Sequence, residues 1–385
     1  MKKIIIIIAV ILSVGCNKNV KIEKKIIKKD KIDSVVENMS TEEKIAQMLI
    51  LNYDKSEIDS ETIKYMKTTP PSGFIMMKGS ITTYEKTREN IEKLKSSSKI
   101  PLIVSIDQEG GSVQKLKNLT DITPIDIPYM YDLGKTKDEN LAYNVGKVIA
   151  EEVRTIGINV DFAPVIDIYS NPSNQVIGKR SFSEDPKEVS NMAISLSKGM
   201  KDNEVIPVFK HFPGHGDTET DSHEGLPIIE KNLENLNNLE FIPFKKAIET
   251  GAEIIMVGHI ALPNITGDNT PSTLSKKVID ILKDDLNYKG LIVTDALNMK
   301  ALTDNYTNEE IYIKAIEAGC DLLLMPNDGI NTVKYIKENI SEDRINESVK
   351  KILKFKYQYL EKTNTLDSSY LNSSEHKNII NQIKS

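Results

Sequence analysis

The run VIPVFKHFPG, Val205–Gly214, changes character halfway along. It opens with apolar and β-branched residues, delivers Lys210 and His211, and turns at Pro213-Gly214. A short, continuous apolar run of this kind reads as a strand buried on both faces, as in a parallel sheet. Seven further runs share the design: AQMLILNY (Ala46–Tyr53), GFIMMKG (Gly73–Gly79), PLIVSIDQEGG (Pro101–Gly111), INVDFAPVIDI (Ile158–Ile168), EIIMVGHIAL (Glu253–Leu262), KGLIVTDALNM (Lys289–Met299) and CDLLLMP (Cys320–Pro326). Helix-like segments separate them, among them Leu141–Thr155, Ser275–Leu286 and Glu309–Ala318. Eight strand–helix units predict an α/β fold of the (β/α)8 barrel type in a single domain. An open doubly wound sheet is the structural alternative, but the Gly-rich phosphate turn it usually carries after its first strand is missing.

The 385 residues are 39% hydrophobic and 28% charged, an ordinary globular balance. A net charge of −6 gives no electrostatic case for nucleic-acid binding. Tryptophan is absent, so any stacking platform must use Tyr, Phe or Met.

The N-terminus reads MKKIIIIIAVILSVGC, with Lys2 and Lys3 ahead of an apolar run from Ile4 to Val14. That run is short for a membrane span, which needs about 20 residues, and fits a secretory signal peptide. The small residues before Cys16 resemble the lipobox of bacterial lipoproteins, with Ser13 where an aliphatic residue is usual. The expected organisation is residues 1–15 as signal peptide, 16–34 as lipidated Cys16 and Lys-rich tether, 35–361 as barrel and 362–385 as polar tail. This implies an exported, membrane-anchored lipoprotein. The other cysteine, Cys320, reads as a buried small hydrophobe, so no disulfide is expected.

Active sites of barrels lie at the C-terminal ends of the strands. Those ends carry Asp107, Asp167, Lys210 with His211, His259 and Asp295. Buried charges are costly without partners, so their convergence at one end points to a site. Metal hydrolysis is disfavoured because HFPGH sits on a turn, with no His-x-His strand or HExxH helix; no metal and no cofactor is expected. Phosphoryl chemistry lacks a P-loop. Glycosyl transfer to water needs one carboxylate at the anomeric carbon and one acid/base on the leaving oxygen. Asp295, fixed after LIVT, suits the first task.

KHFPGHGDTETDSHEGLP (Lys210–Pro227), SIDQEGG (Ser105–Gly111), DFAPVIDI (Asp161–Ile168), GKRSFSEDP (Gly178–Pro186) and VTDAL (Val293–Leu297) together resemble family 3 glycoside hydrolases, specifically the β-N-acetylglucosaminidase branch. The resemblance runs from about residue 35 to 358. It implies Asp295 as nucleophile, His223 as acid/base and Asp221 as its dyad partner. It also implies Asp107, Arg180, Lys210 and His211 as residues gripping the sugar. Where the family usually places an Arg after DQEGG this chain has Lys115, a point charge in place of a planar fork. The implied substrate is a terminal non-reducing β-linked N-acetylglucosamine, in bacteria usually on peptidoglycan fragments.

Three of the five histidines fall between Lys210 and His223. Asp221 and His223 are two apart, so an extended segment points both the same way. An Asp beside an imidazole orients it, and an imidazole can give and take a proton near neutral pH. Gly214 and Gly216 read as giving the loop left-handed conformations and freedom to move. His215 reads as loop packing or a solvent-facing or capping group, His259 as substrate wall or core, and His376 as a solvated tail residue. Many relatives with β-glucosidase activity take their acid/base from a second domain, and no room for one remains here. The alternatives are a β-N-acetylglucosaminide phosphorylase, a β-glucosidase or β-xylosidase, and a non-enzymatic muropeptide-binding lipoprotein. The sequence leaves the oligomeric state open.

Overall fold

The computed structural model describes residues 29–218, 222, 224–361 and 364–383. Its frame is eight strands: β1 Leu49–Tyr53, β2 Gly73–Met76, β3 Ile103–Ile106, β4 Val160–Asp161, β5 Ile206–Phe212, β6 Ile254–Val257, β7 Leu291–Thr294 and β8 Leu323–Leu324. They hydrogen-bond in the order β8-β1-β2-β3-β4-β5-β6-β7, every neighbouring pair parallel. The β7–β8 seam closes through a bridge between Val293 and Leu322 and through the Leu297 N–H, which donates to the Leu324 carbonyl at 2.9 Å. All eight strands lie where the apolar runs predicted them, and their side chains are almost wholly buried. A parallel sheet wrapped by helices has no solvent face, which is why the runs are continuous instead of alternating.

The helices begin at polar caps that satisfy their first backbone N–H groups. Asp138 accepts from the Asn140 and Leu141 N–H groups at the start of the helix Glu139–Thr155. Asp185 caps Pro186–Asp202, with Pro186 in the first turn where its missing N–H does no harm. Thr307 and Glu310 cap Asn308–Ala318 reciprocally.

Two expectations change. The run Ile158–Ile168 is a strand over only Val160–Asp161, after which it touches β5 by a single bridge, Val165 to Lys210. Pro164 has no N–H for a ladder, so the rest of the run becomes an irregular segment along the barrel mouth.

The polar C-terminal stretch, expected to be a tail, folds onto the barrel. Its helix Ser374–Asn381 packs against Glu139–Thr155. His376, expected to be solvated, is 1% exposed. Its Nδ1 lies 3.1 Å from Glu152 and its Nε2 3.0 Å from Glu151. Burial works to lower the imidazole pKa, but these two carboxylates outweigh it and raise it to about 9. Composition registered polar residues there and missed that one of them answers a buried carboxylate.

Candidate active site

A cavity of about 460 Å3 opens at the C-terminal ends of the strands. Its walls include Asp107, Lys115, Arg180, Lys210, His211 and Asp295. Strand β5, the loops after β3 and β7, and the segment after β4 thus bring together the predicted nucleophile and all five predicted substrate-binding residues. Asp221 and His223 lie outside the described residues, as does Cys16.

Asp295 follows β7 directly. Its backbone N–H donates to the Val257 carbonyl at 2.9 Å, and its Oδ1 accepts the Ala296 N–H at 2.7 Å. The second bond fixes the rotation of the carboxylate. Burial pushes the Asp295 pKa up, but His211, His259, the Ala296 N–H and Lys210 together hold it below the ordinary carboxylate value. The group is an anion at neutral pH, as a nucleophile must be. His259 stands in the core, where Nε2–H donates to the Ala296 carbonyl at 2.9 Å and Nδ1 lies 2.8 Å from Thr273 Oγ1. It therefore steadies the turn that carries Asp295.

Lys210 and His211 are consecutive, yet both line the cavity. Regular strands send successive side chains to opposite faces. Here the β5–β6 register shifts between Phe209 and Phe212, and the alternation is broken at this point. His211 Nδ1 lies 2.7 Å from Asp167 Oδ2, and the same carboxylate accepts the backbone N–H groups of His211 and His215. Burial pushes Asp167 up, and His211 and His215 together more than offset it, leaving the carboxyl below its usual range. With the Nδ1 proton engaged by Asp167, Nε2 is the ring atom left for a ligand hydroxyl.

One residue central to the site was not singled out in the sequence. Glu109, 3% exposed, receives Arg180 in a bidentate pair, with Nε and Nη2 each at 2.8 Å. It also takes Lys210 Nζ at 2.5 Å, while Asp107 receives the same ammonium at 3.2 Å. Burial acts to raise the Glu109 carboxyl, but Arg180 and Lys210 drive it far below the ordinary range. The signal was present in DQEGG: a second acid three residues past the end of β3, next to glycines.

The loop after β5 is anchored at its base. Gly214 has φ +120°, a value that favours glycine. At Gly216 the reason is space: a Cβ there would lie 1.6 Å from the Ile168 carbonyl oxygen. The expected freedom at Gly216 is instead a close packing contact. His215, in doubt from sequence, is 1% exposed and lines the cavity, with Nδ1 2.7 Å from Thr218 Oγ1 and Nε2 3.5 Å from Ser222 Oγ. Burial, then the neighbouring His211, lowers its pKa to about 4, so it is neutral near pH 7. Ser222 also lines the cavity, and its carbonyl accepts the Ala301 N–H at 3.2 Å.

Fixed cations and acids around one anionic carboxylate suit a ligand covered with hydroxyl groups, and in a barrel of this kind they define a protein of the glycosidase class. Residues 40–355 match the glycosyl hydrolase family 3 N terminal domain, and the chain belongs to that family. It is similar to Beta-hexosaminidase A of Pseudoalteromonas piscicida, 36% identical over 248 residues that cover 60% of this chain and 41% of that protein. The chain thus spans less than half the length of that relative. It is also similar to Beta-hexosaminidase of Idiomarina loihiensis, 31% identical over 76% of this chain and 87% of the relative. Among solved structures, a glycoside hydrolase family 3 beta-N-acetylglucosaminidase from Paenibacillus sp. superposes with a TM-score of 0.83 at 31% identity, covering 90% of this chain and 68% of that one.

Proposed function

We propose that the protein is a retaining exo-β-N-acetylglucosaminidase that releases terminal non-reducing N-acetylglucosamine. Asp295 attacks the anomeric carbon as the bond to the leaving oxygen breaks, and His223, oriented by Asp221, gives its proton to that oxygen. His223 then takes a proton from water, which attacks the same carbon, expels Asp295 and restores the starting configuration. Asp107, Lys115, Arg180, Lys210 and His211 hold the sugar hydroxyls. The observation that carries the reading is the fixed, anionic Asp295 in one cavity with these five residues. Supporting the dyad, Ser222, which stands between Asp221 and His223 in the sequence, lines that same cavity. The names of the hexosaminidase relatives support the sugar.

The test is Asp295→Ala on an aryl N-acetylglucosaminide, with aryl glucoside and xyloside alongside. Activity falls to background in the variant, and the wild type prefers the N-acetylglucosaminide. Near-wild-type turnover by the variant removes Asp295 from the mechanism. Turnover that requires phosphate in place of water moves the assignment to a phosphorylase. We further propose anchorage through a lipid on Cys16, supported by the Lys2–Lys3 start and the apolar run before it. Among the described residues no helix is long and apolar enough to cross a membrane.

A further inference from the structure

A second cavity, of about 490 Å3, adjoins the first. The two share Asn298 and Met325 as walls. The second is built by the loops after β1 and β8, so it lies at the same end of the barrel. Its volume falls within the ~300–1,000 Å3 of small-molecule sites. Met325, at the junction, has φ +52°, the left-handed region that non-glycine residues seldom adopt. Its N–H donates to the Ile50 carbonyl at 2.9 Å, which pins it there. Unusual backbone of this kind collects at functional sites.

The lining has a definite chemistry. Asn52, Asn298 and Asn331 present exposed amides, each able to donate to and accept from a sugar hydroxyl or an acetamido group. Three carboxyl side chains, Asp54, Glu61 and Asp328, stand against one ammonium, Lys55, which Asp59 already holds at 2.5 Å. Asp54 is fixed by the Gly79 N–H at 2.5 Å and Asp328 by the Tyr312 hydroxyl at 3.0 Å. The field in this cavity is negative.

We infer that the second cavity receives the sugar residues on the leaving-group side of the scissile bond, and that it selects uncharged residues over ones bearing a carboxylate. Resting on the glycosidase reading above, this specifies the substrate class: a neutral β-linked amino-sugar oligosaccharide. It disfavours fragments whose next sugar carries a free lactyl carboxyl group.

The test compares kcat/KM on three substrates: an aryl N-acetylglucosaminide, which has no second sugar; chitobiose and chitotriose; and the disaccharide of N-acetylglucosamine on N-acetylmuramic acid. In the wild type chitobiose exceeds the muramic disaccharide at least five-fold at low ionic strength, and the gap narrows in high salt, which screens exposed charges. In the double variant Asn52→Ala/Asn331→Ala the ratio of chitotriose to aryl activity falls at least five-fold. In Glu61→Lys the preference for the neutral disaccharide shrinks at least two-fold. Glu61 is exposed on the helix Ser60–Thr68, so this change does not disturb the core. A chitotriose-to-aryl ratio within two-fold of wild type in the double variant overturns the site. A muramic disaccharide cleaved as well as chitobiose overturns the charge selection. Absence of aryl activity in the wild type speaks against the glycosidase reading instead, so the two failures are distinct.

Discussion

Glu109→Gln tests what holds the sugar-gripping residues in place. The change keeps size and shape but removes one charge from a buried set. In the wild type the Glu109 and Asp107 carboxylates face the Arg180 guanidinium and the Lys210 ammonium, two against two. Glutamine leaves one against two, and its amide NH2 faces a cation wherever its oxygen accepts from the other. Removing one partner of a buried ion pair costs about 3–5 kcal/mol. Since Asp107 remains, the lower end applies, about 3 kcal/mol. At ~2–4 °C per kcal/mol for a domain of 150–250 residues, the melting temperature falls by roughly 6–12 °C, and somewhat less in this longer chain. Lys210 responds as well. Burial lowers its pKa, and Glu109 is the first of the groups that raise it above the ordinary lysine value. Without Glu109 the ammonium loses its proton at lower pH, so the alkaline limb of kcat/KM moves toward neutrality. One charge-assisted hydrogen bond to substrate, ~1.5–3 kcal/mol, sets a loss of about 10- to 100-fold in kcat/KM at neutral pH. Differential scanning fluorimetry and aryl-glycoside kinetics across pH read all three effects. A melting temperature within 2 °C of wild type, with kcat/KM within three-fold and an unmoved alkaline limb, would falsify the role of Glu109 as organiser.

Four further outcomes are expected. His223→Gly loses more activity on oligosaccharides than on activated aryl glycosides, whose leaving groups need no proton; an equal loss on both argues against the acid role. Gly216→Ala puts a methyl group on the Ile168 carbonyl and costs about 1–3 kcal/mol of stability, read by thermal melts, together with lower kcat; an unchanged melt refutes the contact. His376→Gln lowers stability by about 2 kcal/mol below pH 6.5. Because the folded imidazole pKa is raised to about 9 from 6.5, that difference is fully present below pH 6.5 and disappears as pH rises through 9; a pH-independent difference refutes the ion pair. Cys16→Ser abolishes incorporation of labelled fatty acid and releases the protein from membranes, and retained label assigns the anchor elsewhere.

The barrel was legible because its strands are dry on both faces. IIMV in β6 and LIVT in β7 need no alternation, and Gly, Pro or Asp brackets most of the runs. Charged residues at one end of those runs exposed the site for the same reason: Asp295 and Lys210 stand where apolar residues would otherwise continue. Less visible was anything decided by pairing across the chain. Glu109 belongs to Arg180, 71 positions away, and His376 to Glu152, 224 positions away. Neither separation follows a local period. The fate of Ile158–Ile168 turned on one missing N–H at Pro164, a small sign inside a strongly apolar run. The second cavity had no sequence signature, since its asparagines come from the end of β1, the turn after β7 and the segment after β8, and none is distinctive one at a time.

The pairing of His376 with Glu152 moves the border of the folded unit. Glu152 is fully enclosed, and besides the imidazole it receives the N–H groups of Ile125 and Asn372. Arg154, two residues on in the same helix, reaches the Asn364 carbonyl with two of its nitrogens. A truncation at Glu361, where the composition turns polar, strips a carboxylate and a guanidinium of partners they were enclosed with. An expression fragment that ends there opens a wet, charged wound in the flank of the barrel, whereas one that runs through Asn381 keeps it shut.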